Sequence, residues 1–404
     1  MRRQLIWWLL CWLWLLPLAA AGDSTLSYLN DLRTHAGLQP LHSDRALAIA
    51  AKAHAKYSLR VQRYSHHERK GIPGFTGKTP ADRAVHAGYP SRFVMENIAV
   101  NTIGAKSTVD NLLSAIYHRF LFFGFDVDEM GQGDASTRKK RAIQQVHVFD
   151  MGAEAMVSIC RQEYRLRNGM YYLTGLCADP KKKIPQSVYE DARATIRKVN
   201  GRIILYPYAN QQDIPPAFYN ETPDPLPGYK VSGFPVSVQF NPYYFHKTKM
   251  LSFKLYDDTG KEIKSRLIDQ GNDPNGKLES NEYALMPLAR LKYATQYKAV
   301  FDAIADGKKI HRSWHFMTQE PSAKLYRIRG KKAKINIGNA KRIWLYFVPG
   351  NRKDILKKVH YSKELNVGFI DQNTLEIILP VNKYSKNFRI RSNMGEVILQ
   401  HKTL

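Results

Sequence analysis

Residues 28–59 read YLNDLRTHAGLQPLHSDRALAIAAKAHAKYSL, and this stretch decides the fold of the first part of the chain. Leu26, Leu29 and Leu32 recur at the spacing of one helix face. They predict a first helix, which we expect to end near Gly37 because glycine readily adopts the backbone conformation that ends a helix.

A second helix is predicted directly after Ser43, which has the side chain of a helix N-cap. Leu47, Ala50, Ala51 and His54 fall on one face of this helix. A histidine on an apolar helix face is more often a hydrogen-bonded core residue than a ligand, and we interpret His54 in this way.

Working outward, the pattern stays helical to about residue 125 and then changes to strands. The predicted strands are QVHVFDMG at 145–152, EAMVSICRQEY at 154–164 and GMYYLTGLC at 169–177. Helices followed by an antiparallel sheet indicate an α+β domain, which we place at residues 22–180.

The chain has three cysteines, of which Cys160 and Cys177 follow the N-terminal region. Asn168-Gly169 lies midway between them and is a strong signal for a two-residue hairpin loop. In such a hairpin the two cysteines face each other at a separation that a disulfide spans. We therefore predict a Cys160–Cys177 disulfide in an oxidising compartment, with two free buried thiols as the alternative.

The N-terminus predicts export. Arg2 and Arg3 precede an apolar run over residues 5–18, and Ala19-Ala20-Ala21 follows it. This order is typical of a cleaved signal peptide, here residues 1–21. No later stretch is long and apolar enough to span a bilayer. We predict a secreted, periplasmic or cell-envelope-associated protein.

After Lys183 the helical signal is nearly absent. A Pro-rich stretch is followed by short apolar runs and by turns such as Asp258-Thr259-Gly260 and Asp306-Gly307. This spacing is typical of an all-β sandwich, predicted at residues 184–320. Residues 321–404 are rich in alternating strands and predict a small basic β-domain.

The charge of the chain is high and uneven. The formal net charge is +26, and residues 321–404 hold 18 Lys and Arg against 5 Asp and Glu, a net charge of +13. In an exported protein this charge favours anionic partners: a cell-envelope component, a membrane surface or a polysaccharide. Nucleic acid is disfavoured, because the compartment is wrong and no recognition motif is present.

Four segments carry a family resemblance: residues 28–59, YSHH at 64–67, MENIAV at 95–100, and LLSAIYHRFLFFGFDVDEMGQG at 112–133. Together and in this order they resemble the bacterial branch of the CAP superfamily (cysteine-rich secretory, antigen and pathogenesis-related proteins, with the SCP-like extracellular domain). The resemblance covers roughly residues 25–160. It implies an α-β-α sandwich for the first domain.

The resemblance also implies a cleft lined by two histidines and, in many members, two glutamates. Matched motif by motif, His66, Glu96 and His118 take these positions, and His67 is the alternative to His66. The second glutamate has no secure match, and Glu129 is the nearest candidate. Two imidazoles near a carboxylate suit Zn²⁺, which makes His66 and His118 the predicted metal ligands.

Residues 288–318 resemble the closing strands of bacterial immunoglobulin-like modules. The residues that carry this likeness are Thr295, Tyr297, Trp314, Phe316 and Thr318. The resemblance implies an Ig-like fold for the second domain and says nothing of its function.

Two functions follow from these features. The first is a secreted, non-enzymatic binding protein, with a lipid, peptide or partner protein in the cleft and an anionic envelope held by the basic β-domains. The alternative is a zinc-dependent extracellular hydrolase or peptidase in which Glu96 polarises water. The absence of a legible nucleophile disfavours the hydrolase.

Overall fold

A computed structural model describes residues 24–380 and 387–400 of the chain. The predicted signal peptide lies outside these residues, so it stays a prediction. Within the described residues, no helix has both the length and the apolar character that crossing a membrane requires.

The described part of the chain begins with a domain of helices around one sheet, continues into a β-sandwich and ends in a second β-domain. Its helices are α1 (Ser24–Ala36), α2 (Arg45–Val61), α3 (Pro80–His86), α4 (Ala105–Ser114), α5 (Ile116–Phe122), α6 (Glu154–Arg161) and α7 (Gln186–Lys198). The strands of the first domain are β1 (His42–Ser43), β2 (Met95–Val100), β3 (Glu129–Ser136), β4 (Gln145–Gly152), β5 (Tyr172–Leu173) and β6 (Ile184–Pro185).

The first domain is an α-β-α sandwich, as the resemblance implied. Its central sheet has the order β1-β3-β4-β2, which places β2 at an edge. Ala51 of α2 packs with Val148 on one face of the sheet. Leu29 of α1 packs with Phe149 in the core that covers the other face. The alternation of Val148 and Phe149 assigns each face of β4 to a different helix layer.

Two glycines in β3 let helix α2 approach the sheet closely. A Cβ atom on Gly131 would lie 2.0 Å from the backbone nitrogen of Ala48, and one on Gly133 would lie 2.0 Å from that of Lys52. No side chain fits at these distances. The Gly-x-Gly pattern in EMGQG is therefore a packing requirement.

The predicted disulfide is present, but the predicted hairpin is not. Cys160 and Cys177 are bonded, with their Cα atoms 5.4 Å apart. Cys160 lies at the end of helix α6, where a strand was predicted. Asn168-Gly169 does form a turn, yet Tyr172 pairs with Pro185 in a separate two-stranded sheet. The disulfide therefore joins a helix to a loop instead of closing a hairpin.

Helix α7 contradicts the prediction that helices are nearly absent after Lys183. Its buried face carries Ala192 and Ile196, which pack with Cys160 and Ile184. Asp126, which follows α5, binds α7 through Arg193 at 2.7 Å. Two of the 13 residues of α7 are buried and five are charged, so its sequence carries a weak apolar signal for a helix.

The β-sandwich follows directly. Its strands are β7 (Ile203–Tyr206), β8 (Gln211–Ile214), β9 (Ala217–Tyr219), β10 (Val231–Gly233), β11 (Val236–Phe240), β12 (Thr248–Tyr256), β13 (Ser265–Ile268), β14 (Glu282–Pro287), β15 (Gln296–Ala305) and β16 (Lys308–Thr318). The two main sheets have the orders β13-β14-β11-β7 and β12-β15-β16-β8. The predicted Asp306-Gly307 turn joins β15 to β16 as a two-residue hairpin loop.

The first domain and the β-sandwich share a hydrophobic core. Phe123, directly after α5, packs edge-on against Tyr206 of β7, with ring centroids 4.9 Å apart. The neighbouring Arg119 is fully buried. Its guanidinium lies 5.0 Å from the Phe234 ring centroid and donates to the Ser237 hydroxyl at 3.0 Å. Burial lowers the pKa of Arg119 to about 9.

The last domain has two four-stranded sheets around its own core. Its described strands are β17 (Lys324–Ile328), β18 (Lys332–Asn336), β19 (Arg342–Phe347), β20 (Val359–Tyr361), β21 (Asn366–Asp371), β22 (Thr374–Ile378), β23 (Phe388–Ser392) and β24 (Gly395–Gln400). The sheet orders are β17-β19-β22-β21 and β18-β24-β23-β20. The predicted fold class, an α-β-α sandwich followed by a β-sandwich and a small basic β-domain, is confirmed.

A buried ion pair joins the β-sandwich to the last domain. The Arg290 guanidinium binds Asp371 and lies 4.4 Å from the ring centroid of Tyr293. Tyr219 donates to the second carboxyl oxygen of Asp371 at 2.8 Å. Removing residues 321–404 would leave Arg290 without this carboxylate, so deletion of the last domain is a disruptive experiment.

Gly131→Ala should destabilise the first domain, because the added methyl group must displace the backbone of α2. We expect the free energy of unfolding to fall by at least about 2 kcal/mol. Urea unfolding followed by circular dichroism measures this loss.

Gly368→Ala is the matched control. Gly368 also lies in a strand, yet nothing stands within 4 Å of a Cβ built on it. The same methyl group should change stability there by less than about 1 kcal/mol. Equal losses in the two variants would contradict the close approach of α2.

Candidate functional site

The candidate site in the first domain is arranged around a buried carboxylate, Glu96, in the edge strand β2. His66 Nδ1 donates to Glu96 Oε1 at 2.8 Å, and the Arg83 guanidinium binds Oε2. Burial opposes the charged form of Glu96, but the hydrogen bond from His66 and the charge of Arg83 outweigh it, so the pKa of Glu96 is lowered. His66, and not its neighbour His67, makes the hydrogen bond to Glu96, and His54 Nε2 lies 4.0 Å from the same oxygen.

A second histidine–carboxylate pair lies beside the first. His54 Nδ1 is 2.9 Å from Glu68 Oε1, and His54 Nε2 is 2.8 Å from the backbone oxygen of Ser65. The backbone N–H of Thr76 donates to the other oxygen of Glu68 at 2.8 Å. His54 is fully buried, so its interpretation as a hydrogen-bonded core residue is confirmed. The pair fixes residues 65–76 beneath α2.

A third carboxyl group adjoins Glu96. Asp150 is directly opposite Glu96 in the β2–β4 ladder and is fully buried. Neither of its oxygens meets a protein donor among the described residues. Burial, and then the charge of Glu96, raises the pKa of Asp150 well above its usual range. We infer that Asp150 is a neutral carboxylic acid beside an ionised Glu96.

His118 has a different carboxylate partner from the ones predicted. Its Nδ1 donates at 2.8 Å to Glu221, which lies between β9 and β10 of the β-sandwich. The backbone oxygen of His118 accepts from the Asn97 side chain at 3.0 Å. Burial raises the pKa of Glu221, and the hydrogen bond from His118 offsets part of that effect. Nothing in the surrounding YNETP sequence marked Glu221 as a functional residue.

The two predicted histidines are therefore held from different sides of β2. Glu96 and Asn97 are consecutive strand residues, so their side chains point to opposite faces of the sheet. Glu96 contacts His66 on the face covered by α2 and α3, whereas Asn97 contacts the backbone of His118 in α5. The described contacts join His66 to Glu96 and His118 to Glu221, not the two histidines to each other.

Glu129, the candidate for the second cleft glutamate, has other contacts. Tyr89 donates to Glu129 Oε2 at 2.7 Å, and the backbone N–H of Ala153 donates to the Tyr89 hydroxyl at 2.9 Å. Burial raises the pKa of Glu129. The structure thus places Glu129 in a hydrogen-bonded chain that ties β3 to the start of α6, without a contact to His66 or His118.

The described residues do not offer the three protein ligands of a catalytic zinc site. No group of three or more His, Cys, Asp or Glu side chains is arranged to hold a metal ion in residues 24–380 and 387–400. Zinc binding by His66 and His118 stays a prediction. Both oxygens of Glu96 already have partners, and Nδ1 of His66 is bound to Glu96, which leaves Nε2 as the ring nitrogen of His66 without that bond.

Asp150→Asn should stabilise the protein more at about pH 7 than at about pH 4. The raised pKa means that wild-type Asp150 stays protonated in the folded state while the unfolded chain releases the proton. Its contribution to stability is therefore present at low pH and lost as the pH rises. Because asparagine is neutral at both pH values, we expect a gain of more than about 1 kcal/mol at about pH 7, measured by urea unfolding.

Asp126→Asn is the control with the opposite sign. Burial opposes ionisation of Asp126, but hydrogen bonds from Arg197 and Arg193 outweigh it and lower its pKa. Its contribution is present above the pKa of the unfolded chain and lost as the pH falls. Asp126→Asn should therefore cost more stability at about pH 7 than at about pH 4. An Asp150→Asn effect that does not change with pH would refute the neutral carboxyl.

Comparison with known proteins bears on the first domain. The model of the cysteine-rich secretory protein family (CAP) matches residues 26–149. Among solved structures, the chain is similar to an outer surface protein from Borrelia burgdorferi (21% identity, 31% of this chain and 87% of that chain, TM-score 0.27).

A second similar structure is an extracellular protein with an SCP domain from Bacillus anthracis (20% identity, TM-score 0.26). The match covers 31% of this chain and 38% of that chain. No curated protein matches the sequence. With the α-β-α sandwich around Glu96, the family match leads to one assignment: residues 26–149 form a CAP domain of the cysteine-rich secretory protein family.

Proposed function

We propose that this chain is an extracellular, non-enzymatic binding protein whose last domain docks it on an anionic cell-envelope polymer. The observation that carries the proposal is an exposed basic face on the sheet β18-β24-β23-β20. Export rests on the predicted signal peptide and on the match of the first domain to a family of secretory proteins.

The basic face consists of two rows across neighbouring strands. Lys332, Glu396 and Arg391 form one row, and Lys334, Ile398 and Arg389 form the next. The four basic residues are all exposed. Glu396 is the one carboxylate in these two rows, and it binds Arg391 at 2.8 Å and Arg389 at 3.3 Å.

With four cations and one carboxylate, this arrangement leaves an excess of positive charge on a solvent-facing surface. Such a surface attracts a polyanion by long-range electrostatics and holds it through several weak contacts. Because each contact is exposed to water, salt should weaken the binding strongly. The CAP domain would then present its own ligand from an anchored position.

The hydrolase alternative has less support. A carboxylate that activates water must reach that water, whereas Glu96 is buried and already accepts hydrogen bonds from His66 and Arg83. A metal site at the predicted histidines requires zinc binding that a His66→Ala/His118→Ala variant loses. Calorimetric titration of zinc into both proteins decides this point, since equal heats would remove the metal from consideration.

Docking is tested with charge substitutions, since deleting the last domain would unpair Arg290. Lys332→Gln/Lys334→Gln/Arg389→Gln removes three charges; it breaks the Arg389–Glu396 pair and retains the shorter Arg391–Glu396 pair. We expect at least about tenfold weaker retention on heparin or polyglutamate resin in dilute buffer, as three exposed contacts are lost.

Lys298→Gln/Lys308→Gln/Lys309→Gln is the matched control. It removes the same charge from exposed positions on the β-sandwich. If the control loses as much retention as the test variant, net charge rather than the basic face determines binding. Equal melting temperatures for the three proteins would confirm that folding is intact.

A further inference from the structure

A second basic surface lies on the CAP domain, along helix α2 and away from the Glu96 cluster. Between α2 and the β3–β4 connection is an open cavity of about 890 Å³, which we call the α2 groove. Its basic lining residues are Lys52, Lys56, Arg60, Lys139 and Arg141. All five are exposed.

The positive charges of the α2 groove are compensated only in part, by the carboxylate of Asp134, whose charge interacts with Lys52. None of the five basic residues forms an ion pair with another described residue, and Lys52 donates to the backbone oxygen of Asp134 instead. The carboxylate of Asp134 is the one acidic group in the lining. It is already bound by His147 at 2.6 Å and by Gln132 at 3.0 Å.

The spacing of the positive charges suits an extended ligand. Lys52, Lys56 and Arg60 recur every four residues, so they line one side of α2 over about 12 Å. Like charges at this spacing repel each other and destabilise the isolated helix. Lys139 and Arg141 face this row from the β3–β4 connection, so an anion in the groove meets cations from two sides.

A neighbouring concavity extends the same surface. A cavity of about 650 Å³ shares Lys52, Lys56 and Arg60 with the α2 groove, and Arg45 adds a further charge. No Asp or Glu lines this cavity among the described residues. The three shared side chains therefore form a basic ridge between two concave surfaces, long enough for several residues of a linear polymer.

We propose that the α2 groove binds a linear polysaccharide that carries sulfate or carboxylate groups. The lining has hydroxyl groups at Ser136 and Thr137 beside its five cations, which suits a ligand with both anionic groups and sugar hydroxyls. A nucleic acid strand is less well matched, since no described Phe, Tyr or Trp lines the groove for base stacking. A membrane surface is flat and does not enter a concave groove.

Binding in the α2 groove does not depend on the proposed docking through the last domain, and one experiment separates the two. The probe is a heparin oligosaccharide of defined length, added to the full chain before brief acetylation of lysines. Peptide mass spectrometry then measures the labelling of each lysine. We expect Lys52, Lys56 and Lys139 to be protected at least about threefold, and Lys298, Lys308 and Lys309 to be labelled as before.

The outcomes distinguish the two sites. Protection of Lys332 and Lys334 with no protection of Lys52, Lys56 and Lys139 would overturn the α2 groove while leaving docking intact. Protection of the groove lysines alone would support the groove and remove the docking proposal. If phosphatidylglycerol vesicles protect the groove lysines and the oligosaccharide does not, the ligand is a membrane and the polysaccharide proposal is wrong.

A variant provides the second readout. Lys52→Gln/Lys56→Gln/Arg60→Gln in the Lys332→Gln/Lys334→Gln/Arg389→Gln background should bind the oligosaccharide at least about tenfold more weakly than that background. The changed groove residues are exposed, so the melting temperature should be preserved. Unchanged affinity would overturn the proposal.

Discussion

The buried carboxylate of Glu96 is the constraint on which the CAP domain depends. Arg83 from α3 and His66 from the loop after α2 converge on its two oxygens, while Asp150 of β4 lies opposite it. A charge removed from water must be paired, and breaking such a pair costs about 3 to 5 kcal/mol because the remaining charge stays buried. One side chain in β2 thus fixes the positions of helix α3 and the loop after α2.

The paired motif residues His118 and Arg119 link the CAP domain to the β-sandwich. Arg119 is buried between aromatic rings of the β-sandwich, and His118 binds Glu221, which also belongs to the β-sandwich. The side chains of His118 and Arg119 therefore find their hydrogen-bond and aromatic partners across the boundary between the two domains. The surroundings of His118 are therefore a property of the two-domain unit, and an isolated CAP domain would leave both side chains without these partners.

The two proposed binding surfaces carry many basic side chains and few carboxylates. The basic face of the last domain and the α2 groove each contain several exposed cations and one acidic residue that is already bound. The shared core and the Arg290–Asp371 pair join the domains that carry these two surfaces. If both proposed surfaces bind one polymer, binding at the first would raise the effective concentration of the polymer at the second.

The sequence by itself determined the local elements and the order of the domains. The helical spacing of Leu29 and Leu32, the Asp306-Gly307 turn and the four CAP segments all describe short stretches, whose geometry follows from neighbouring residues. The Cys160–Cys177 bond was also predicted, although through a hairpin that does not form. The sequence did not predict helices α6 and α7, because their apolar faces are short. These faces are buried where the two helices pack against each other.

The tertiary structure alone decided which charged groups meet. Glu221 is 103 residues from His118, and the α2 groove joins side chains from a helix and a distant strand connection. The sequence did not indicate that Asp150 lies opposite Glu96 or that Glu129 accepts a hydrogen bond from Tyr89. Spacing along the chain encodes a helix or a turn, but burial and charge pairing depend on how the faces of those elements come together.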